Sequence, residues 1–252
     1  MQTSDRHSYL RSVAQRDGKV SAIAAADALG VAVQTIRRDI RQLCADGLLE
    51  RVHGGAVPPS GVSNIGYGDR RALNREVKQR IARRAAAMIP DNASLFLNIG
   101  TTTEAVAQAL ARHRNLMVVT NNLNVANTLA SNPTCEVVVT GGSLRRSDGG
   151  LVGDLAAIAI DRFKVDFAVI GASAIDLSGD LLDFDPEEVR VSQQVIRAAR
   201  STILVADSSK FTRKAPVKIA SLAQMDYFVT DRVPSELLIN RCADWRTQIA
   251  RA

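Results

Sequence analysis

The spacing of apolar residues divides the chain into a short helical part and a longer part where strand-like and helix-like runs alternate. Over residues 6–17, Tyr9, Leu10, Val13 and Ala14 recur at helical spacing, and Gly18 ends the run. Ser21 caps a short helix, AIAAADAL, whose small side chains favour close packing, and Gly30 follows it. A third helix is predicted over about 33–45, where Ile36, Ile40 and Leu43 fall at i, i+4 and i+7 and turn one stripe to a core. Past Asp46-Gly47, residues 48–57 read as two short strands around His53-Gly54-Gly55, a wing. Pro58, Pro59, Ser60 and Gly61 open a Gly/Ser/Asn-rich stretch that reads as a linker over 58–73.

A basic helix is predicted from about 74 to 88, with Ile81, Ala85 and Ile89 on one side. Strand-like runs follow at 93–99, 116–120, 136–140, 165–170, 202–206 and 226–230. Helix-like runs at about 103–112, 122–131, 154–163 and 187–199 lie between most of them. Such alternation, with strands apolar on nearly every residue, predicts an α/β domain whose mostly parallel sheet is covered on both faces. The expected organisation is a small winged helix-turn-helix at 1–57, a linker at 58–73 and a larger α/β domain at 74–252, without internal repeats.

Composition narrows the class. The chain has 252 residues, 46% hydrophobic and 23% charged, as folded globular proteins have. Its longest apolar runs are too short and too interrupted by charge for a membrane span. Residues 1–10 carry Asp5, Arg6 and His7 where a signal peptide needs an apolar core, so a cytoplasmic protein with no membrane partner is expected. Cys44, Cys135 and Cys242 are far apart, and the three histidines are scattered, so neither a metal site nor any cofactor is expected. The net charge of +6 permits a polyanionic partner. Residues 1–57 hold eight Lys/Arg against six Asp/Glu, but Arg37, Arg38 and Arg41 crowd one helix.

That helix offers what a major groove needs. Arginine grips guanine bidentately, Gln34 suits adenine, and Thr35 suits a phosphate or a thymine methyl. Gln34, Thr35, Arg37, Arg38 and Arg41, with Arg51 and His53 on the wing, form the candidate set facing double-stranded DNA. A single head reads few base pairs, so a homodimer or homotetramer is expected.

In the larger domain, polar motifs follow the strands, where open parallel sheets bind ligands. Gly100-Thr101-Thr102-Thr103 opens a helix and suits an anion through backbone amides and hydroxyls. Asn121-Asn122, Gly141-Gly142 with Arg145, and Lys210 end other strands, and Asp176, Asp185, Glu187 and Glu188 add acceptors for hydroxyl groups. Gly100, Thr101, Thr102, Thr103, Asn121, Asn122, Gly141, Gly142, Arg145, Asp176, Glu188 and Lys210 are the candidate effector residues. Donors and cations on one side and carboxylates on the other suit a small polyol bearing a phosphate. The residues alone leave three readings open. One is an effector-controlled repressor. Another is a sugar-phosphate isomerase using Asp176 or Glu188 as base and Lys210 for the phosphate. The third is a DNA-binding architectural protein whose large domain only associates.

QTIRRDIRQL followed by GLLERVHGGAV resembles the head of DeoR-family regulators. NIGTTTEAVAQAL, NLMVVTNNLNVANTLA, GGSLRRSDGGLVG, DLLDFDPEEVR and ADSSKF resemble the sensor domain of the same family. One departure is the start of the third helix, where Ala32 and Val33 replace the family's usual Ser cap and Pro. The resemblance implies a sensor with a ribose-5-phosphate-isomerase-like fold. It also implies a repressor whose effector, sn-glycerol 3-phosphate or, as the alternative, another sugar phosphate, weakens the grip on operator DNA.

Overall fold

A computed structural model describes residues 2–17, 19–59, 64 and 66–252. Gly18, expected to end the first helix, and Ser60 and Gly61 of the expected linker lie outside the described residues. The chain forms two compact units, one ending at Leu73 and the other beginning at Asn74.

The first unit contains α1 (Thr3–Asp17), β1 (Val20–Ser21), α2 (Ala22–Leu29), α3 (Val33–Ala45), β2 (Glu50–Val52), β3 (Gly55–Val57) and α4 (Tyr67–Ala72). Its core is Leu10, Ala14, Val20, Ala25, Ala26, Ile36, Ile40, Leu43, Leu49 and Ala56, so the stripe predicted on α3 is buried. The alanines of α2 let α3 pack closely against it. Ser21 accepts from Ala24 N at 3.4 Å, and Gly30 closes α2 in the left-handed conformation. The helix α3 begins at Ala32 without a side-chain cap, as the sequence requires. Asp39, on the inner side of α3, is held by Arg6 through Nε at 2.6 Å and Nη2 at 3.1 Å. The wing is a three-stranded antiparallel sheet in the order β1-β3-β2, its third strand being the two residues before α2. In the stretch that reads as a linker, α4 packs against β2, and its Asp69 accepts from His53 N at 3.0 Å.

The second unit contains α5 (Arg75–Ala86), β4 (Ser94–Leu97), α6 (Thr101–Leu110), β5 (Leu116–Thr120), α7 (Leu123–Leu129), β6 (Cys135–Val139), β7 (Ser143–Arg145), β8 (Gly150–Val152) and α8 (Asp154–Ile160). There follow β9 (Val165–Ile170), β10 (Ala174–Ile175), β11 (Asp180–Asp183), α9 (Pro186–Ala198), β12 (Ala199–Val205), β13 (Val217–Ser221), β14 (Tyr227–Thr230), α10 (Glu236–Asp244) and β15 (Gln248–Arg251). Seven strands make one sheet, β15-β14-β12-β9-β4-β5-β6, parallel throughout. Alternate residues of each strand enter different cores. Leu95 and Leu97 of β4 belong to the core that holds residues of α5, α6 and α7, whereas Phe96 belongs to the core that holds residues of α8, α9 and α10. Burial on both faces is what made the strands read as continuous apolar runs.

The six predicted strands are β4, β5, β6, β9, β12 and β14. The structure adds β15, a polar edge strand, the β7–β8 hairpin, and a small antiparallel sheet in the order β10-β11-β13. These strands are short, and β11 alternates buried and half-buried residues, which weakens their signature in the sequence. Among the described residues, no helix is long and apolar enough to cross a membrane.

The wing depends on Gly55. A Cβ there would stand 1.8 Å from the Val20 carbonyl oxygen, across the β1–β3 pair. Gly55→Ala should destabilise the first unit by about 1–3 kcal/mol, the usual range for overpacking. Trp245, the one tryptophan, lies in the second unit and reports on that unit alone. The variant should lose far-UV ellipticity early in urea while the Trp245 fluorescence transition stays put. Two transitions superimposed on wild type would refute this account of the wing.

Candidate functional site

On the first unit, the inward face of α3 is used up by Ile36, Asp39, Ile40 and Leu43. Gln34, Arg37, Arg38 and Arg41 are exposed on the remaining surface, and Thr35 is half-buried. Arg51 and His53 are exposed on the wing. The arrangement leaves three guanidinium groups and an amide on one short helix, the donor set that base edges and phosphates accept from.

On the second unit, the chemistry gathers where the parallel strands end. Asn98, buried after β4, donates to Ser192 Oγ at 2.7 Å and accepts from Ile99 N at 2.7 Å. This fixes the turn into α6. Gly100 has φ 146 and ψ 147, a conformation suited to glycine, and no side chain caps α6. Thr103 spends its hydroxyl on the carbonyls of Asn98 and Gly100, both at 2.7 Å, so its role is to shape the turn. Thr102 is buried and Thr101 half-buried in the first turn. The positive end of the α6 dipole points out of this loop.

After β5, Asn122 caps α7 by accepting from Asn124 N at 2.9 Å. Its amide donates to Glu104 Oε1 at 3.3 Å, and Asn124 donates to the same oxygen at 3.1 Å. Asn121 donates to the Leu151 carbonyl at 3.0 Å, and its Oδ1 is buried with no hydrogen-bond partner among the described residues. Gly141 is exposed beyond β6, while Gly142 backs onto the Val152 carbonyl and Ala156.

Arg145 sits among carboxylates. It binds Asp148 through Nε at 2.9 Å and Nη2 at 2.7 Å, Asp185 through Nη1 at 2.6 Å, and Glu188 through Nη2 at 2.6 Å. Burial works against the guanidinium charge, and Asp148 and Glu188 more than restore it, so its pKa lies above the ordinary value. Burial, with Asp183 beside it, pushes the Glu188 carboxyl up to about 7 against the pull of Arg145. Arg145 is one of the candidate effector residues, and the structure places it at the centre of an acidic cluster.

Two candidates stand apart from that cluster. Asp176 organises the turn between β10 and β11, its Oδ1 accepting from Ser178 N at 2.9 Å, Ser178 Oγ at 2.7 Å and Asp180 N at 2.9 Å. Lys210 lies in the 3-10 turn Ser208–Thr212 after β12, on the far side of β9 from β4. It neighbours Asp207, whose carboxyl burial pushes up. Lys210, Ser209, Lys78 and Asn74 outweigh that and hold it below the usual range.

Sequence reasoning missed Lys78, Glu104, Asp148, Asp183 and Asp207. Lys78 had a signal: it continues the buried stripe of Ile81, Ala85 and Ile89, where a lysine is out of place. At the opposite end of the sheet, where β4, β5 and β6 begin, an open cavity of about 610 Å3 is lined by Asn92, Asn115, Thr134, Glu136 and Asp166, away from all of these groups. Among the described residues, no His, Cys, Asp and Glu group has the arrangement of a metal site.

Comparison with known proteins agrees along the chain. Residues 6–61 match the DeoR-like helix-turn-helix domain and residues 73–232 match the DeoR C terminal sensor domain. The chain is similar to the glycerol-3-phosphate regulon repressor of Haemophilus influenzae, with 43% identity over 99% of this chain and 97% of the relative. It is similar to the repressor of that name from Escherichia coli K12, with 41% identity over 99% of each. Among solved structures, ribose 5-phosphate isomerase from Plasmodium falciparum overlaps 54% of this chain and 52% of its own, with a TM-score of 0.40 and 15% identity. Head and sensor together thus place the chain in the DeoR family, as a transcriptional regulator and not an enzyme.

Proposed function

We propose that this regulator holds operator DNA through α3 and the wing until sn-glycerol 3-phosphate binds at the strand ends of its sensor. Residues 1–57 read the DNA, 58–73 connect, and 74–252 sense the ligand. The observation that carries the ligand class is the division of one sheet edge. The uncapped α6 turn and Lys210 suit a phosphate, and the Arg145 cluster suits hydroxyl groups. The buried Oδ1 of Asn121 adds an acceptor that a ligand hydroxyl would satisfy. Glycerol 3-phosphate among such molecules is supported by the names of the relatives at 41–43% identity. Ligand and operator affinity are linked, so the molecule that releases DNA binds more weakly when DNA is present.

Arg37→Ala or Arg38→Ala should weaken operator binding, a base-reading arginine being worth about 1–3 kcal/mol of discrimination. Ligand binding should be untouched in both. Wild-type operator affinity at matched salt would dismiss α3 as the reading helix.

Two copies should occupy two-fold-related half-sites spaced by about one helical turn or a multiple of it. Sedimentation of the protein free and on DNA checks this, and a monomer in both would refute it.

Thr102→Ala should remove a donor to a charged acceptor, a loss of roughly 1.5–3 kcal/mol in ligand affinity. Lys210→Ala should cost at least as much, because a phosphate loses a counter-charge. Both variants should hold the operator at glycerol 3-phosphate concentrations that release wild type, and glycerol should release none of the three. Superimposed release curves would move the phosphate elsewhere.

A further inference from the structure

We propose that the outer face of α8 is where a second copy of this chain docks, the two α8 helices lying antiparallel across a two-fold axis. The inference rests on the reading above that two copies occupy paired half-sites on the operator.

The sequence of α8 is the first sign. Between Asp154 and Asp161 it reads Leu-Ala-Ala-Ile-Ala-Ile, apolar at every position. A helix at a protein surface keeps a polar side, and one that is apolar all round is covered all round. The helices α5 and α9 follow the rule. On its outer side α5 carries Arg80, Arg83 and Arg84, and α9 carries Glu187, Arg190 and Arg197, all exposed. Within one chain, α8 buries only Ala156, Ala157 and Ile160. Leu155 is left 71% exposed and Ile158 56%.

The bare surface continues beyond the helix. Leu144 of β7, 52% exposed, is paired with Leu151 of β8, and β8 leads through Gly153 into α8. Three large apolar side chains on contiguous elements are more than the scattered single residues that a surface ordinarily shows. Covering them removes apolar area from water, which favours association.

What fits this surface is set by its two ends. Asp154 stands exposed at the start of α8, ion-paired with Arg190, and Arg162 stands exposed just past the end of the helix. A two-fold axis passing near Ile158 brings Asp154 of each copy beside Arg162 of the partner subunit and sets the two Ile158 side chains together. The helix dipoles then oppose one another, which adds to the attraction. A parallel arrangement would set Asp154 against Asp154 and Arg162 against Arg162. The surface is therefore complementary to itself when turned about a two-fold axis, as an isologous interface must be. That property singles out a second copy as the occupant.

The test uses the full chain. Ile158→Glu and Leu155→Glu each place a charge on the α8 surface, and Leu237→Glu places one on α10, where Leu237 is 61% exposed. Sedimentation equilibrium gives the dissociation constant between copies, and far-UV ellipticity reports the fold. Wild type should associate. Ile158→Glu and Leu155→Glu should each raise the dissociation constant by roughly 100-fold or more, because a two-fold interface loses every contact twice. Leu237→Glu should associate as wild type does, and all three should keep wild-type ellipticity. If either α8 variant keeps the wild-type constant, the copies meet elsewhere and the inference alone falls. An equal loss in Leu237→Glu overturns it as well, since the effect would not belong to α8. So does a loss of ellipticity in an α8 variant, which would make that side chain part of one chain's own core. A wild type that stays monomeric, both free and on operator DNA, overturns the half-site reading and this inference with it.

Discussion

Burial of a parallel sheet on both faces is the constraint on which the second unit depends. The central strands β4, β5, β9, β12 and β14 send side chains into two cores, one containing residues of α5, α6 and α7 and one containing residues of α8, α9 and α10. Neither face is left for chemistry. The strand ends remain, where the chain must turn and its backbone amides and carbonyls lose their neighbours. Asn98, Gly100, Asn121 and Asp207 all stand at such turns, and their side chains or dihedrals are spent on holding the turn open. The candidate site is thus a by-product of how the strands are connected.

Within that edge, charge is apportioned unevenly. Arg145 is the cation of a cluster that also contains Asp148, Asp185 and Glu188, with Asp183 pressing on Glu188. A half-buried arginine surrounded in this way organises carboxylates more than it attracts anions. At the end of β12 the balance reverses, with the charges of Lys210 and Lys78 favouring the ionised Asp207. The same residue types therefore take opposite roles according to what is packed around them.

The sequence revealed what depends on local pattern. The Ile36, Ile40 and Leu43 stripe predicted the inner face of α3, and the continuous apolar runs located six of the seven parallel strands. Strands of two to four residues, such as β1, β10 and β15, carry too little pattern to stand out. Pairings at long range were hidden as well. Arg145 meets Glu188 across 43 residues and Asn74 meets Asp207 across 133, and no spacing rule connects them. Some signals were local and went unused. The Asp176-Leu177-Ser178-Gly179 run has the composition of a side-chain-closed turn, which is what Asp176 forms. Lys78 interrupts an apolar stripe, and a buried lysine requires a partner.

The acidic cluster around Arg145 has a bearing on selectivity under the proposed function. Inorganic phosphate is an abundant free anion inside cells and shares its charge with any phosphorylated effector. A site built only of lysines and a helix end would fill with it and would leave the regulator permanently switched. Three carboxylates round one guanidinium offer a bare anion nothing but repulsion, whereas a molecule that also brings hydroxyl groups finds acceptors waiting. The cluster is then a filter against false triggering, and its cost is a buried glutamate that ionises only near neutral pH.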